Sequence, residues 1–393
     1  MFILEAPYVS DFLKQTILDR QAPVLANDMA VKHFGPGAPC LCSAEEFAAR
    51  ARDDRSLSIY SNSENAIEWI GTHLGGSGLP ETIALFKDKI RFRELIRDMH
   101  PDYFFKGIPC AELETLDPAD MPKPFIIKPA VGFFSLGVHK VDSDDQWPGV
   151  LDTIKGEVTR IRSQYPEQVL NLDRFIVEEC IDGEEFAVDV YFDGDGSPVI
   201  LNILGHLFAS KNDVSDRVYL TSPTIIRAWR ERFTEYLAEI GTRAGLSRFP
   251  AHVELRVSSD GSILPIEVNP MRFAGWCVAD LTFHAYGFNP YTYYLDGKTP
   301  DWESILAKRE GKAVGVLVAD VAADVDCSSI TRVDYEGFKA RFSTPLELRP
   351  IDVRKYPVFA FLFAEVPEDD PKDFQALLHS DLKEFLTIRT ETD

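Results

Sequence analysis

Two apolar segments, His252–Ser258 and Ile263–Val268, flank the residues Ser-Asp-Gly at 259–261, and this pattern restricts the local fold more than any other. Apolar segments around such a turn are typical of a β-hairpin. Side chains two residues apart share a face of a strand, and residues on paired strands lie opposite each other. The sequence therefore predicts an antiparallel hairpin with its polar side chains grouped on one face.

Three polar side chains, Glu254, Glu267 and Asn269, fall on this hairpin. Glu267 and Asn269 share a face, and Glu254 on the paired strand can lie near both. Two carboxylates beside a carboxamide would repel each other unless a hard cation lies between them. Mg²⁺ prefers such oxygen ligands and completes its coordination with nucleotide phosphates. The sequence predicts a Mg²⁺ site here; the alternative is a solvent-facing edge whose charges are only hydrated.

The first 85 or so residues alternate between short strands and helices. The predicted strands are Met1–Leu4, Pro23–Ala26 and Leu57–Ser61, and the predicted helices are Ser10–Arg20 and Glu64–Leu74. Strands that alternate with helices favour a parallel sheet. The fold class expected from these elements is α/β.

Further along the chain, we predict one helix over Pro80–Arg97, an irregular segment over His206–Pro223 and a closing helix over Pro371–Phe385. The strands predicted after residue 100 are Pro124–Lys128, Val138–Val141, Phe175–Cys180, Glu185–Phe192, Val199–Gly205, Val314–Asp320 and Val358–Glu365. Longer helices are expected over Asp144–Gln164 and Thr224–Ala244.

The net charge of −22 argues against nucleic acid and anionic membranes as partners. The six cysteines are scattered apart from Cys40 and Cys42, which fits a reducing compartment. The first residues lack the basic leader of a secretion signal, and no run approaches the ~20 apolar residues that cross a bilayer. We therefore expect a cytoplasmic protein.

Two strand ends carry residue types that bind nucleotides. An apolar strand leads to Lys128, followed by a loop with Gly132, Ser135 and Gly137, where backbone N–H groups can approach phosphate oxygens. The alternative is an ordinary hairpin with a surface lysine. Near Phe175–Cys180, strand-end backbone groups could bind an adenine edge and Glu185 could accept from ribose hydroxyls, although acidic residues are common at strand ends.

These three groups of residues, in this order, resemble the ATP-grasp superfamily over about residues 80–290. The segments VEECIDGEEFAVDV and HVEL…IEVNP are most similar to the carboxylate–amine ligase branch, which includes the L-amino-acid (dipeptide) ligases. The resemblance implies an ATP-grasp fold with a parallel α/β domain (1–85), a central subdomain with a glycine-rich flap (86–175), a metal- and nucleotide-binding subdomain (176–300) and a C-terminal α+β module (301–393).

The resemblance also implies roles for individual residues. Lys89 corresponds to a lysine that reaches the nucleotide phosphate, with Lys87 as its competitor, and Lys128 corresponds to a second such lysine. The remaining implied positions are Gly132, Ser135 and Gly137 in the flap, Glu178, Glu179 and Ile181 at the adenine edge, Glu185 at the ribose, and Glu254, Glu267 and Asn269 at Mg²⁺.

One position departs from the family pattern. An arginine often follows the asparagine by two residues, but Met271 stands there and Arg272 comes one residue later. Arg272 can still reach a phosphate or a tetrahedral intermediate across one added residue. In the loop that often covers the acceptor substrate, His206, Lys211 and Arg217 are candidate contacts, with simple hydration as the alternative.

The implied reaction is ATP- and Mg²⁺-dependent. A small carboxylic acid is activated as an acyl phosphate, an amine attacks it, and ADP and phosphate are released. The alternatives are a ligase that uses a thiol or another nucleophile in natural-product assembly, and an inactive ATP-binding module with a regulatory role. Residues 301–393 could complete the substrate pocket or form a surface for a homo-oligomer.

Overall fold

The computed structural model describes residues 1–54, 56–132, 137–161, 171–208 and 217–389. The chain divides into two compact units. The first comprises residues 1–183, 189–199 and 234–276, and the second comprises residues 184–188, 200–233 and 277–393. The four domains expected from the sequence stay a prediction.

The first unit begins with a four-stranded parallel sheet of order β3-β2-β1-β4, which confirms the predicted parallel pairing. Ser10 caps the first helix by accepting from the N–H of Leu13. The elements of this region are β1 (Phe2–Ile3), α1 (Asp11–Arg20), β2 (Val24–Leu25), α2 (Asp28–Phe34), β3 (Leu41–Cys42), α3 (Ala44–Asp53), β4 (Tyr60–Ser61), α4 (Ile67–His73), α5 (Leu79–Lys87) and α6 (Lys89–Leu95).

The single helix predicted over Pro80–Arg97 is wrong, because the chain forms α5 and α6 with a break at Asp88. Asp88 has extended backbone angles, and its carboxylate accepts from the N–H groups of Ile90 (3.0 Å) and Arg91 (3.2 Å). This is an N-cap, which begins a new helix instead of continuing the old one. Lys89 consequently occupies the first position of α6.

A second sheet of the first unit has the order β5-β8-β6-β7 and antiparallel pairing. Its elements are β5 (Phe105–Pro109), β6 (Phe125–Val131), β7 (His139–Val141), α7 (Trp147–Ile161) and β8 (Asn171–Glu179). One face packs a buried core that includes Phe125, Phe175 and Trp147. The strand predicted to end at Lys128 continues to Val131, so Lys128 lies inside β6.

The remaining strands and helix of the central region are β9 (Glu184–Phe192), β10 (Pro198–Leu207), β11 (Val218–Thr221), α8 (Pro223–Ala244), β12 (Phe249–Val257) and β13 (Ile263–Pro270). The pairing of β12 with β13 confirms the predicted hairpin and sets Glu254 opposite Glu267. The irregular segment predicted over His206–Pro223 is wrong at β11, because the apolar residues Val218 and Leu220 are buried there and the strand pairs with β10.

The second unit contains strands in the order β10-β11-β14-β17-β16 and the pair β15-β18. Its further elements are α9 (Leu281–Tyr286), α10 (Pro290–Asp296), α11 (Trp302–Ala307), β14 (Lys312–Asp320), β15 (Ile330–Val333), α12 (Tyr335–Lys339), β16 (Pro345–Pro350), β17 (Val358–Pro367), α13 (Lys372–Leu378) and β18 (Leu386–Ile388). Phe338, Phe359 and Phe374 lie in the buried core of this unit.

The helix predicted over Pro371–Phe385 is wrong beyond Leu378. Side chains of Ser380 and Asp381 accept from the backbone N–H groups of Leu382 and Lys383. Such local hydrogen bonds compete with the helical ladder, so the helix stops and the chain turns into β18. In the described part of the chain, no helix combines the length and apolar character that crossing a membrane requires.

Candidate active site

The structure brings together the three polar side chains of the β12–β13 hairpin. Asn269 donates from Nδ2 to Glu254 Oε1 (3.1 Å) and to Glu267 Oε1 (3.2 Å). The oxygen and nitrogen of a carboxamide are assigned from their surroundings, so the opposite orientation presents Oδ1 to the same point. Two carboxylate oxygens and one amide oxygen then converge, which fits the ligand preference of Mg²⁺. Their role as metal ligands stays a prediction.

Lys89 connects this hairpin to the glycine-containing loop after β6. Its ammonium lies 3.1 Å from Glu267 Oε2 and donates to the backbone oxygen of Gly132 (3.2 Å). Burial would raise the pKa of Glu267, but the charges of Lys89, Lys87 and Lys128 outweigh burial and lower it to about 2. Glu267 is therefore a carboxylate throughout the physiological pH range, as a metal ligand has to be.

Lys128 and Glu178 belong to a buried charged network that includes Arg93, a residue for which we predicted no role in the site. Glu178 accepts from Lys128 Nζ (2.6 Å) and Arg93 Nε (2.8 Å), and its side chain is 3% exposed. Burial would raise the pKa of Glu178, but Arg93 and Lys128 lower it to about 2. Arg93 also donates to the backbone oxygens of Pro265 (2.7 Å) and Ile266 (3.3 Å), which ties the network to β13.

Some backbone groups after Glu178 form hydrogen bonds within the protein. The N–H of Glu179 donates to Phe104 O (3.1 Å), and the oxygen of Ile181 accepts from Arg256 (2.6 Å). The N–H of Ile181 has no hydrogen-bond partner among the residues that the structure describes. A free N–H at this strand end can donate to a purine ring nitrogen. The adenine-edge role of Glu178, Glu179 and Ile181 stays a prediction.

Two glycines of the predicted motifs are required by the backbone. Gly137 has a φ of +72°, and a Cβ placed there would lie 3.2 Å from Pro129. Gly183 has a φ of +117°, and a Cβ there would lie 2.2 Å from the backbone oxygen of Val257. Both conformations are costly for residues with a side chain. Ser135 lies outside the described residues.

Arg272 is held by Glu64, an acidic residue that sequence reasoning gave no role in the site. Arg272 donates from Nε (3.2 Å) and Nη2 (2.9 Å) to Glu64 Oε1, and Lys87 donates to Glu64 Oε2. Burial would raise the pKa of Glu64, but Lys87 and Arg272 outweigh it and lower the pKa. Lys87 thus pairs with Glu64, whereas Lys89 pairs with Glu267; which of the two lysines reaches the nucleotide phosphate stays a prediction.

The other predicted substrate and ribose contacts belong to the second unit. His206 lies 3.3 Å from Glu185 and stacks on Tyr219, with ring centroids 4.5 Å apart. Arg217 forms an ion pair with Asp320 (2.7 Å) and donates to the backbone oxygen of Ser380 (2.6 Å). Lys211 lies outside the described residues. The roles expected for these side chains stay predictions.

A family model described as the ATP-grasp domain matches residues 121–280. This stretch contains Lys128, Glu178 and the whole β12–β13 hairpin, whereas Lys89 and Glu64 precede it. No curated protein matches the chain in sequence.

Solved structures share the fold over nearly the whole chain. The L-amino acid ligase from Bacillus licheniformis is similar with a TM-score of 0.68 at 15% identity, over 99% of this chain and 98% of that chain. The N5-carboxyaminoimidazole ribonucleotide synthetase from Thermotoga maritima gives a TM-score of 0.63 at 11% identity, over 99% of both chains.

The biotin carboxylase domain of the 2-oxoglutarate carboxylase from Hydrogenobacter thermophilus, solved with MgADP, ADP and bicarbonate, gives a TM-score of 0.62. The identity is 13%, and the likeness covers 93% of this chain and 86% of that chain. At such identities the likeness is one of fold.

Proposed function

Because this chain contains an ATP-grasp domain and has the ATP-grasp fold, we propose that it is an ATP- and Mg²⁺-dependent ligase. It joins a small carboxylic acid to an amine through an acyl phosphate and releases ADP and phosphate. The solved structures of similar fold include an L-amino acid ligase, and one was solved with MgADP. These neighbours support the substrate class and the cofactor by analogy.

The observation that carries the proposal is the convergence of Glu254, Glu267 and Asn269 beside Lys89 within one compact unit. The two carboxylates suit a cation and the ammonium of Lys89 suits an anion, so the group can accept a ligand that itself carries both signs. A divalent cation bound to nucleotide phosphates is such a ligand. Mg²⁺, when bound, neutralises charge on the phosphoryl group that is transferred.

The residues of the chain perform the remaining work by binding and orientation. Lys89 and Lys128 hold phosphate oxygens, with Lys128 fixed by Glu178. The free N–H of Ile181 donates to the adenine ring. Arg272 stabilises the oxyanion that develops when the nucleophile attacks the acyl phosphate. Phosphoryl transfer needs little covalent participation of the protein, so no nucleophilic side chain is required.

Release of ADP, measured with a coupled assay against panels of carboxylic acids and amines, tests the proposal. Hydroxylamine in place of the amine traps an acyl phosphate as a hydroxamate. We expect an acid-dependent hydroxamate with the wild type and with the exposed control variant Glu68→Gln. Glu267→Gln is expected to lower turnover at least ~10²-fold with the fold retained.

Two outcomes would reject parts of the proposal. If ADP release requires a thiol and no amide is formed, the nucleophile of the reaction is not an amine. Tight MgADP binding without turnover across the panels would indicate an inactive nucleotide-binding module.

A further inference from the structure

The loop that follows Asn269 has an unfavourable backbone on both sides of Arg272. Met271 has a φ of +66° and Trp276 a φ of +55°, and both carry large side chains. Residues of this kind rarely adopt the left-handed region, and they do so where the surrounding structure holds them. The loop is therefore fixed by contacts from outside it.

Three backbone contacts fix this loop. The N–H of Met271 donates to Pro250 O (2.9 Å), and its oxygen accepts from the N–H of Ser61 (2.9 Å). The N–H of Ala274 donates to Asp189 Oδ1 (2.7 Å). Since these contacts lie on either side of Arg272, the Cα position of Arg272 is set by the fold, although the sequence has one residue more than the family pattern.

Only some of the N–H donors of Arg272 have acceptors within the protein. A guanidinium has five N–H donors. Two of them bind Glu64 Oε1 and one, on Nη1, donates to the backbone oxygen of Phe273 (3.1 Å). Among the residues that the structure describes, the other two donors have no acceptor. The side chain is 15% exposed. Two unpaired donors in one plane, on a side chain that is partly exposed, suit an oxyanion.

The charge around Glu64 also favours the binding of an anion. Glu64 is the shared partner of two cations, the buried Lys87 and the partly exposed Arg272, so this group of three carries a net positive charge. Glu64 and Lys87 both come from the region before residue 88, which lies outside the match to the ATP-grasp family model. The N-terminal region thus contributes directly to the site.

We propose that Glu64 is a positioning residue of the ligase reaction: its carboxylate fixes the guanidinium of Arg272 so that the two free N–H groups meet the oxyanion of the acyl phosphate and of its tetrahedral adduct. This inference rests on the proposed function. It also assigns Lys87 to neutralising Glu64 and leaves nucleotide phosphate to Lys89.

Steady-state kinetics of Glu64→Gln, with Glu68→Gln as the control from the exposed face of the same region, tests the inference. We expect kcat to fall about 10²-fold, the loss typical of one oxyanion donor, while the affinity for MgADP changes little. An equal fall in MgADP affinity, or a kcat equal to that of Glu68→Gln, would overturn the inference.

A double-mutant comparison separates positioning from general stability. If Glu64 acts through Arg272, adding Glu64→Gln to Arg272→Met lowers kcat no further than Arg272→Met alone. Additive losses would contradict this. Should Glu64→Gln fail to fold because Lys87 is left unpaired, the double variant Glu64→Gln/Lys87→Met removes that unpaired charge and takes its place in the comparison.

A chemical measurement does not depend on substrates. Modification of Arg272 by phenylglyoxal, followed by mass spectrometry, is expected to be faster in Glu64→Gln than in the wild type, because the guanidinium is released. An unchanged rate would overturn the inference. A wild type with no ATP-dependent turnover would instead reject the proposed function, and the two failures are thereby distinguished.

Discussion

Replacing Glu178 with glutamine removes the only carboxylate in contact with both Arg93 and Lys128, as far as the described residues show. The two cations would then remain buried with a neutral partner. The pKa of Glu178 falls from its ordinary value of 4.5 to about 2 in the folded protein. At about 1.4 kcal/mol per pH unit, this corresponds to roughly 3 kcal/mol of stability at neutral pH.

An independent estimate agrees with that magnitude. Removing one partner of a buried ion pair costs roughly 3–5 kcal/mol, because the other charge is left uncompensated. We therefore expect Glu178→Gln to lower the free energy of unfolding by about 3–5 kcal/mol at pH 7. The affinity for MgADP should fall as well, because Lys128 loses the contact that orients it.

The stability that the Glu178 carboxylate contributes depends on pH in a defined direction. A carboxylate whose folded pKa lies below its unfolded value contributes stability that is fully present above pH ~4.5 and is lost as the pH falls towards ~2. The gap in stability between wild type and Glu178→Gln should accordingly shrink from pH 7 towards pH 3. Carboxylates outside this network affect both proteins equally, so the difference between the two proteins reports on the network around Glu178.

Urea unfolding followed by far-UV circular dichroism at several pH values measures the gap, with Glu68→Gln as an exposed control. A gap below ~1 kcal/mol at pH 7, or one that does not shrink in acid, would show that the Glu178 carboxylate does not stabilise the fold through this network.

Three further predictions concern the nucleotide and the backbone. MgATP at ~100 times its dissociation constant should stabilise the fold by about 2.7 kcal/mol, and a thermal shift that survives removal of Mg²⁺ with EDTA would contradict a metal-bridged nucleotide. Lys89→Met should weaken MgADP binding more than Lys87→Met, which titration calorimetry compares directly; the reverse order would return the phosphate role to Lys87. Gly183→Ala should strongly lower the free energy of unfolding measured with denaturant, because its Cβ would meet the backbone of Val257. Gly149→Ala, where a Cβ meets open space, should not. Equal stabilities of the two variants would show that the close packing at Gly183 does not matter.

The hairpin and its polar residues could be predicted from the sequence because the information is local. Strand alternation places Glu267 and Asn269 on one face. Glu254 lies opposite Glu267 because a bulge between Glu254 and Leu255 shifts the register that the turn sets, and this bulge was not predicted. The ATP-grasp fold expected from the resemblance is confirmed. The split between α5 and α6 was missed, although the N-cap at Asp88 is also a local signal that the sequence contains.

The contacts of Glu64 and Arg93 could not be predicted because they are distant in sequence. Glu64 lies 208 residues before Arg272, and Arg93 lies 85 residues before Glu178. An acidic residue at the start of a predicted helix is more simply explained as a helix-terminal charge. Short strands such as β11, with four residues, were missed because so few residues show no clear alternation.

We propose that Glu254, Glu267 and Asn269 bind a metal-bound nucleotide beside Lys89 and Lys128. Isothermal titration of ADP into the wild type and into Glu254→Gln/Glu267→Gln, each with and without Mg²⁺, tests it most directly. We expect Mg²⁺ to tighten ADP binding to the wild type and to have little effect on the double variant. An equal effect of Mg²⁺ on both proteins would show that Glu254 and Glu267 do not bind the metal.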